Sequence, residues 1–283
     1  MSRPLPGPTG QSSGPGSARR LPVAVLSPEI RIGDLTGNLR RLREAIEHAV
    51  GAGARLIVAP ELATCGYAFE NRQEVWAGAI GRRDSAWNDL AAVLRPDTVA
   101  VIGYAERAGD RVFNSALVFS ATGSHGNYRK SHLWGAEPTL FTAGDQAGAV
   151  FHTPVGRLGV AICYDNEFPE VPRRLALSGA EVLALPVNWP LVVRPAGERA
   201  PEVIQAMAAA RSSRLPVVIA DRREEERGLR WTGGSCVIDG DGWVQIDGDA
   251  PLLLATLTLP APGDKSLPPA NDLFADRRPD LYR

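Results

Sequence analysis

The sequence predicts an α/β fold, with helices covering the faces of its sheets. Three observations predict it. Apolar runs of strand length alternate with helix-period stretches from about residue 21 onward. The first of these helices lies between two buried strand-like runs, the pattern of a crossover unit. No linker and no internal repeat interrupts the alternation.

Residues 21–26 form the first apolar run, read as a strand. Asp34 or Thr36 can cap the helix that follows. Leu35, Leu39, Leu42, Ile46 and Ala49 recur there at helical spacing, and Arg40, Arg41, Arg43 and Glu44 fill the other face. Gly51 and Gly53 stop that helix, and residues 56–59 make a second buried strand. A more polar helix is expected over residues 75–94. Residues 99–105 and 112–119 read as paired strands around Ala108-Gly109-Asp110. A strand over 158–162 precedes Pro169 and Pro172, which a first helical turn tolerates, and helical residues 173–178. Next come a strand over 182–185, a helix over 198–214 and a strand over 217–220. Residues 235–238 and 243–246 flank Asp239-Gly240-Asp241-Gly242, a hairpin signal. A last strand covers 252–259, and the Pro- and Asp-rich tail from Pro260 is expected to wrap a surface.

The bulk numbers exclude several function classes. The chain has 283 residues, 44% of them hydrophobic, enough for an ample core. Its 31 basic and 32 acidic residues leave a net charge of -1, so no broad field favours nucleic acid or an anionic membrane. The apolar runs are far shorter than the roughly 20 residues a membrane helix needs. Three widely spaced cysteines suggest neither a disulfide framework nor a zinc cluster, and the natural setting is a reducing cytoplasm. Residues 1–20 are rich in Pro, Gly and Ser without an apolar core, which reads as a disordered extension and not a secretory signal. Residues 21–283 then form one domain.

Three strand ends carry reactive side chains. Gly159-Val160-Ala161-Ile162-Cys163-Tyr164-Asp165 runs from small apolar residues into a cysteine and then turns polar. A cysteine in such a place is often just a small buried hydrophobe. Here Tyr164, Asp165, Asn166 and Glu167 follow at once, which a core would not welcome, so a substrate-facing thiol is the alternative. Glu61 follows Pro60 at the end of a buried strand. It is either a turn residue or a carboxylate whose burial tunes it for proton transfer. Lys130, in Tyr128-Arg129-Lys130-Ser131-His132, is either a solvated surface lysine or a fixed cation beside a developing oxyanion. His132 reads as a hydrogen-bonding structural residue. Cys65 and Cys236 read as packing.

Taken together, these stretches resemble the nitrilase (carbon–nitrogen hydrolase) superfamily. Its signatures occur in order: Pro60-Glu61-Leu62 with Gly66-Tyr67, then Tyr128 to Leu133, then Gly159 to Asp165 with Phe168-Pro169-Glu170. The likeness extends through Phe151-His152-Thr153-Pro154-Val155-Gly156-Arg157-Leu158 to the closing Asp276-Arg277-Arg278-Pro279-Asp280-Leu281-Tyr282. The resemblance implies a four-layer α-β-β-α sandwich that pairs through outer helices, as a homodimer or higher homo-oligomer. It implies Cys163 as nucleophile, Glu61 as general base and Lys130 as oxyanion stabiliser. Glu137, in the loop before Phe141-Thr142-Ala143-Gly144-Asp145, matches a second glutamate expected to position substrate and support proton transfer. No metal or organic cofactor is implied. One departure is the helix near Ala208 to Arg214, where relatives often carry an Arg and a Glu-Asn pair and this chain has Ala209 and Ser212-Ser213.

Tyr164-Asp165 after the cysteine is similar to the amidase and carbamoylase branches, whereas nitrilases usually carry Trp-Glu. The expected reaction is hydrolysis of a small primary amide to carboxylate and ammonia through a thioester. A ureido substrate, a nitrile, acyl transfer to an amine, or an inactive binding relative are the alternatives. The backbone amide of Tyr164 is expected to share the oxyanion. Asn188 and Trp189, at another strand end, are expected to line the acyl pocket, with Tyr67 and Trp134 beside them. Arg194 is either a carboxylate-binding residue or an exposed one.

Overall fold

The structure is a computed structural model that describes residues 18–282. In chain order the elements are β1 (Arg19–Leu26), α1 (Leu35–Gly51), β2 (Leu56–Val58), α2 (Arg72–Gly78), α3 (Ala86–Ala91), β3 (Val99–Ala108), β4 (Arg111–Ser120) and β5 (Gly123–Arg129). There follow α4 (Glu137–Leu140), β6 (Ala149–Thr153), β7 (Gly156–Val160), α5 (Glu170–Leu177), β8 (Val182–Pro186), α6 (Pro201–Ser213), β9 (Val217–Ala220), β10 (Cys236–Ile238), β11 (Val244–Asp247) and β12 (Leu252–Leu259). A small ribbon, β13 (Ser266–Leu267) with β14 (Asn271–Asp272), lies in the tail.

The strands form two six-stranded sheets, ordered β12-β1-β2-β3-β4-β5 and β11-β10-β9-β8-β7-β6. In each, a parallel centre is flanked by antiparallel strands: β2 runs parallel to β1 and β3, and β8 parallel to β7 and β9. The two-residue period of β1 shows how the layers stack. Leu21, Val23 and Val25 face a core shared with β7, β8 and β9, while Ala24 and Leu26 face Leu42 and Ile46 of α1. Val171 and Leu175 of α5 and Val203 and Ala206 of α6 close the far side of the second sheet. The result is helix, sheet, sheet, helix, the four-layer sandwich.

Several boundaries differ from those read in the sequence. Residues 1–17 of the expected extension lie outside the described residues. Arg19 and Arg20 do not belong to it. They open β1, because β12 is long enough to pair them with Leu259 and Thr258, and Arg19 also reaches Glu181. The expected helix over 75–94 is two short helices. Between them Ile80 is captured by β3, its amide donating to the Ala105 carbonyl at 3.0 Å and its carbonyl accepting from the Arg107 amide at 2.9 Å. The helix over 198–214 starts later, because Ala200 is extended before Pro201. It is capped by Arg214 in the left-handed region.

The fold delivers the reactive residues at strand ends. Glu61 follows β2, Lys130 follows β5, Cys163 follows β7 and Asn188 follows β8. The turn after β2 lies against β3 so closely that a Cβ on Gly103 would stand 2.3 Å from the Pro60 carbonyl and 2.6 Å from the Glu61 Cα. Only glycine allows that approach.

Candidate active site

Three charged side chains meet in the interior. Lys130 Nζ donates to Glu61 Oε1 at 2.7 Å and to Glu137 Oε1 at 2.8 Å. Glu61 and Lys130 have no solvent exposure and Glu137 has 2%. Asn114 Nδ2 also donates to Glu61 Oε1, at 2.7 Å. Glu137 Oε1 accepts from the Tyr67 hydroxyl at 2.9 Å, and its Oε2 from the Trp134 amide at 3.1 Å. Glu61 Oε2 is buried with no hydrogen-bond partner.

Cys163 opens a short 3-10 turn, Cys163–Glu167, directly after β7. Its φ is 48°, a left-handed conformation that costs a non-glycine residue about 1–2 kcal/mol. Asp165 holds that turn. Its side chain accepts from the Ile162 amide at 2.9 Å, the Tyr128 hydroxyl at 2.7 Å and the His132 amide at 3.1 Å. His132 Nδ1 lies 2.7 Å from the same carboxylate, and its ring stacks on Phe168. The Cys163 Sγ lies 3.9 Å from the Asn188 carbonyl, and Asn188 Nδ2 donates to the Glu61 carbonyl at 2.9 Å. Asn188, beyond the end of β8, therefore touches both the thiol and the backbone of Glu61.

Burial and mutual charge set the protonation states. Burial pushes Glu61 up to about 7, with Lys130 pulling down and Glu137 pushing up. Burial alone would neutralise Lys130. The two carboxylates outweigh it and keep the ammonium protonated well above its usual range. Burial pushes the Cys163 thiol well above its ordinary value, and the charge of Glu61 adds to that.

A cavity of about 250 Å³ opens on Cys163. Trp134, Tyr164, Trp189 and Pro190 line it, with Glu167 and Glu202. Of the residues expected to face substrate, Tyr164, Trp189 and Trp134 do line this cavity. Tyr67 and Asn188 do not line it; the Tyr67 hydroxyl is committed to Glu137, and Asn188 gives its Nδ2 to the Glu61 backbone while its Oδ1 has no partner. Arg194 lines a different cleft, with Glu198 and Arg199. Cys65 and Cys236 are buried, and burial pushes both thiols up to about 12.

Comparison with known proteins identifies the family. The carbon-nitrogen hydrolase family profile matches residues 22–253. The chain belongs to the carbon–nitrogen hydrolase family. It is an enzyme of the amidase-like branch of the nitrilase superfamily that its motifs resemble. A "Nitrilase" of Pyrococcus abyssi is 35% identical over 250 residues, covering 87% of this chain and 92% of that protein. An "(R)-stereoselective amidase" of Pseudomonas is 33% identical, covering 77% of each. Among solved structures, an amidase from Nesterenkonia sp. AN1, in a mutant carrying acrylamide on its active site cysteine, superposes with a TM-score of 0.75. The match covers 93% of this chain and 98% of that one at 24% identity, a likeness of fold. Among the described residues of this carbon–nitrogen hydrolase, no helix is long and apolar enough to cross a membrane.

Sequence reading missed a second layer around the site. Asn114 sits within a strand and shares Glu61 Oε1 with Lys130. Glu226 Oε2 accepts the successive amides of Tyr67 and Ala68 at 2.7 and 2.6 Å, while its Oε1 pairs with Arg222 at 2.7 Å. Glu226 thus fixes the backbone from which Tyr67 reaches Glu137. Its signal is hidden in Arg222-Arg223-Glu224-Glu225-Glu226-Arg227, which looks like a solvated charge run. A Glu226→Gln variant should lose about 3 kcal/mol of unfolding free energy, because the buried Arg222 keeps its charge without a counter-ion. Urea denaturation measures this; a change under about 0.5 kcal/mol means that the pair is solvated in solution.

Proposed function

We propose that this carbon–nitrogen hydrolase cleaves a small primary amide to carboxylate and ammonia through a thioester on Cys163. The observation that carries the reading is the buried Glu61–Lys130–Glu137 cluster behind a cysteine that opens on a cavity. At rest the thiol holds its proton. As Sγ attacks the carbonyl carbon, Glu61 takes that proton on Oε2, the oxygen with no other partner. An ammonium has three donors. Two of those of Lys130 are given to the glutamates, and the third serves the oxyanion together with the Tyr164 amide. Glu61 returns the proton to the departing nitrogen, which leaves as ammonia. Water then enters, Glu61 takes its proton, and hydroxide expels the thiolate, which is reprotonated. Glu137 holds Lys130 in place.

Hydroxylamine added during turnover tests the acyl-enzyme. Hydroxamate from the acyl group is the expected product, together with an acyl adduct on Cys163 by mass spectrometry. Ammonia released without either would remove the thioester. The pH profile is a second check. Glu61 must be ionised to act as base, and its carboxyl is raised to about 7. Activity should therefore fall as pH drops through about 7. A profile flat down to about pH 5 contradicts Glu61 as base.

A ureido substrate is the second reading. It is favoured by "N-carbamoylputrescine amidase" relatives, such as that of Arabidopsis thaliana at 27% identity over 94% of this chain. Assembly as a homodimer or higher homo-oligomer through the outer helices is supported by exposed Leu177 and Ile204 on α5 and α6. Light scattering reads the mass directly. A reducing cytoplasm suits its three free cysteines.

A further inference from the structure

The cavity over Cys163 has a lopsided electrostatic character. Its walls are aromatic and apolar, and the charged groups lining it are both carboxylates, Glu167 and Glu202. Glu202 lies in the first turn of α6, where the helix amides favour an ionised acid. Yet its Oε2 is buried and has no hydrogen-bond partner. Glu167 ends the turn that begins at Cys163. Burial raises its carboxyl, and the charge that adds to this is that of Glu202. Neither carboxylate forms an ion pair among the described residues. Two acids that feel one another, one with an orphaned oxygen, are what a surface usually avoids.

A second residue of the cavity also carries an unpartnered polar group. Trp189 is 2% exposed and lines the cavity, and its Nε1 donor has no partner. A buried indole N–H normally finds an acceptor. Trp134, 41% exposed at the same cavity, offers an aromatic face, which attracts a cation. A volume of about 250 Å³ is below the range of drug-sized pockets, so the ligand is small. A substrate carboxylate would meet two like charges here, since Arg194 lies in another cleft.

We propose that this enzyme selects amides whose acyl chain ends in a protonated amine, with Glu167 and Glu202 as the specificity-determining residues. The inference rests on the amidase reading above and narrows its substrate class. The ammonium sits between the two carboxylates at the cavity wall while the amide end lies over Cys163. Each carboxylate contributes through charge, so the preference should appear mainly in KM.

Three amides of matched length test it: 4-aminobutanamide, pentanamide and 4-carbamoylbutanoate. For the natural enzyme, kcat/KM should rank cationic over neutral by about tenfold, and neutral over anionic by at least as much. In the Glu167→Gln/Glu202→Gln double variant the cationic-to-neutral ratio should fall toward one. Glu202→Lys should move the preference toward 4-carbamoylbutanoate. The ratio is internal to each variant, so partial loss of folded protein does not affect it. A natural enzyme that turns over pentanamide or 4-carbamoylbutanoate as well as 4-aminobutanamide overturns the proposal and leaves the amidase reading intact. So does a double variant that keeps the cationic preference. Release of no ammonia from any of the three, with no adduct on Cys163, overturns both.

Discussion

A Lys130→Met variant is expected to lose both its chemistry and several kcal/mol of stability. Lys130 is the cation in contact with Glu61 and Glu137, and all three side chains are buried. Removing one partner of such a group leaves uncompensated charge in the interior, at a cost of about 3–5 kcal/mol. The cost depends on pH, and its sign follows from Glu61. Its carboxyl already sits at about 7 in the folded protein against an ordinary 4.5, and Lys130 is what pulls it down. Without the lysine it rises further. A raised carboxyl favours the folded state while both states are protonated, and that advantage is lost as pH rises through the folded value. The variant should therefore come nearest to the parent at about pH 4 and fall furthest behind at about pH 8. Urea denaturation at the two pH values reads the difference. A Lys130→Met/Glu61→Gln double variant, with one carboxylate fewer, should regain part of the stability and none of the turnover. Turnover itself should drop by about 10³ through the lost oxyanion donor. If the single variant is as stable as the parent at about pH 8, the three groups do not share a dry site and the reading of the cluster is wrong.

Why some of this was legible in the sequence and some was not comes down to range. Glu61 and Cys163 stand at the ends of short apolar strands, β2 and β7, and a local pattern is enough to see them. The likeness of the motifs to a known family supplied the roles implied for Lys130 and Glu137, and the four layers. Periodicity had no means of finding β5. Its residues, Gly-Ser-His-Gly-Asn-Tyr-Arg, are polar because it is the edge strand of its sheet. The stretch over 75–94 failed for a related reason. A helical pattern was there, but pairing of Ile80 with β3 is a long-range contact that outweighs local propensity. Asn188 was visible as a strand-end polar residue, but its partner is the Glu61 backbone, 127 residues away. Glu226 is the extreme case. It holds the Tyr67 amide from 159 residues away, and nothing in its charged neighbourhood separates it from a solvated acid.

Replacing Cys163 should separate chemistry from strain. A Cys163→Ala variant lacks the proposed nucleophile, and turnover should fall by about 10⁵ or more, to the level left by binding and polarisation alone. Its stability should stay close to that of the parent, because alanine keeps the Cβ and the φ of 48° together. A Cys163→Gly variant removes the clash that makes this conformation unfavourable. Glycine also gains freedom in the unfolded chain, which offsets part of the benefit. The balance should leave the glycine variant more stable than the alanine variant by about 0.5–1 kcal/mol, although it buries one carbon fewer. That ordering is the reverse of what an ordinary buried position gives, where glycine is the worse of the two. The strain is held by Asp165, whose carboxylate takes the Ile162 amide on one side of the turn and Tyr128 on the other. An Asp165→Asn change made in both the alanine and the glycine variants should then release the turn and shrink the difference between them. Paired denaturation curves decide it. If alanine proves equal to glycine at position 163, the backbone there is relaxed in solution, and the left-handed turn cannot be what presents the sulfur to the cavity.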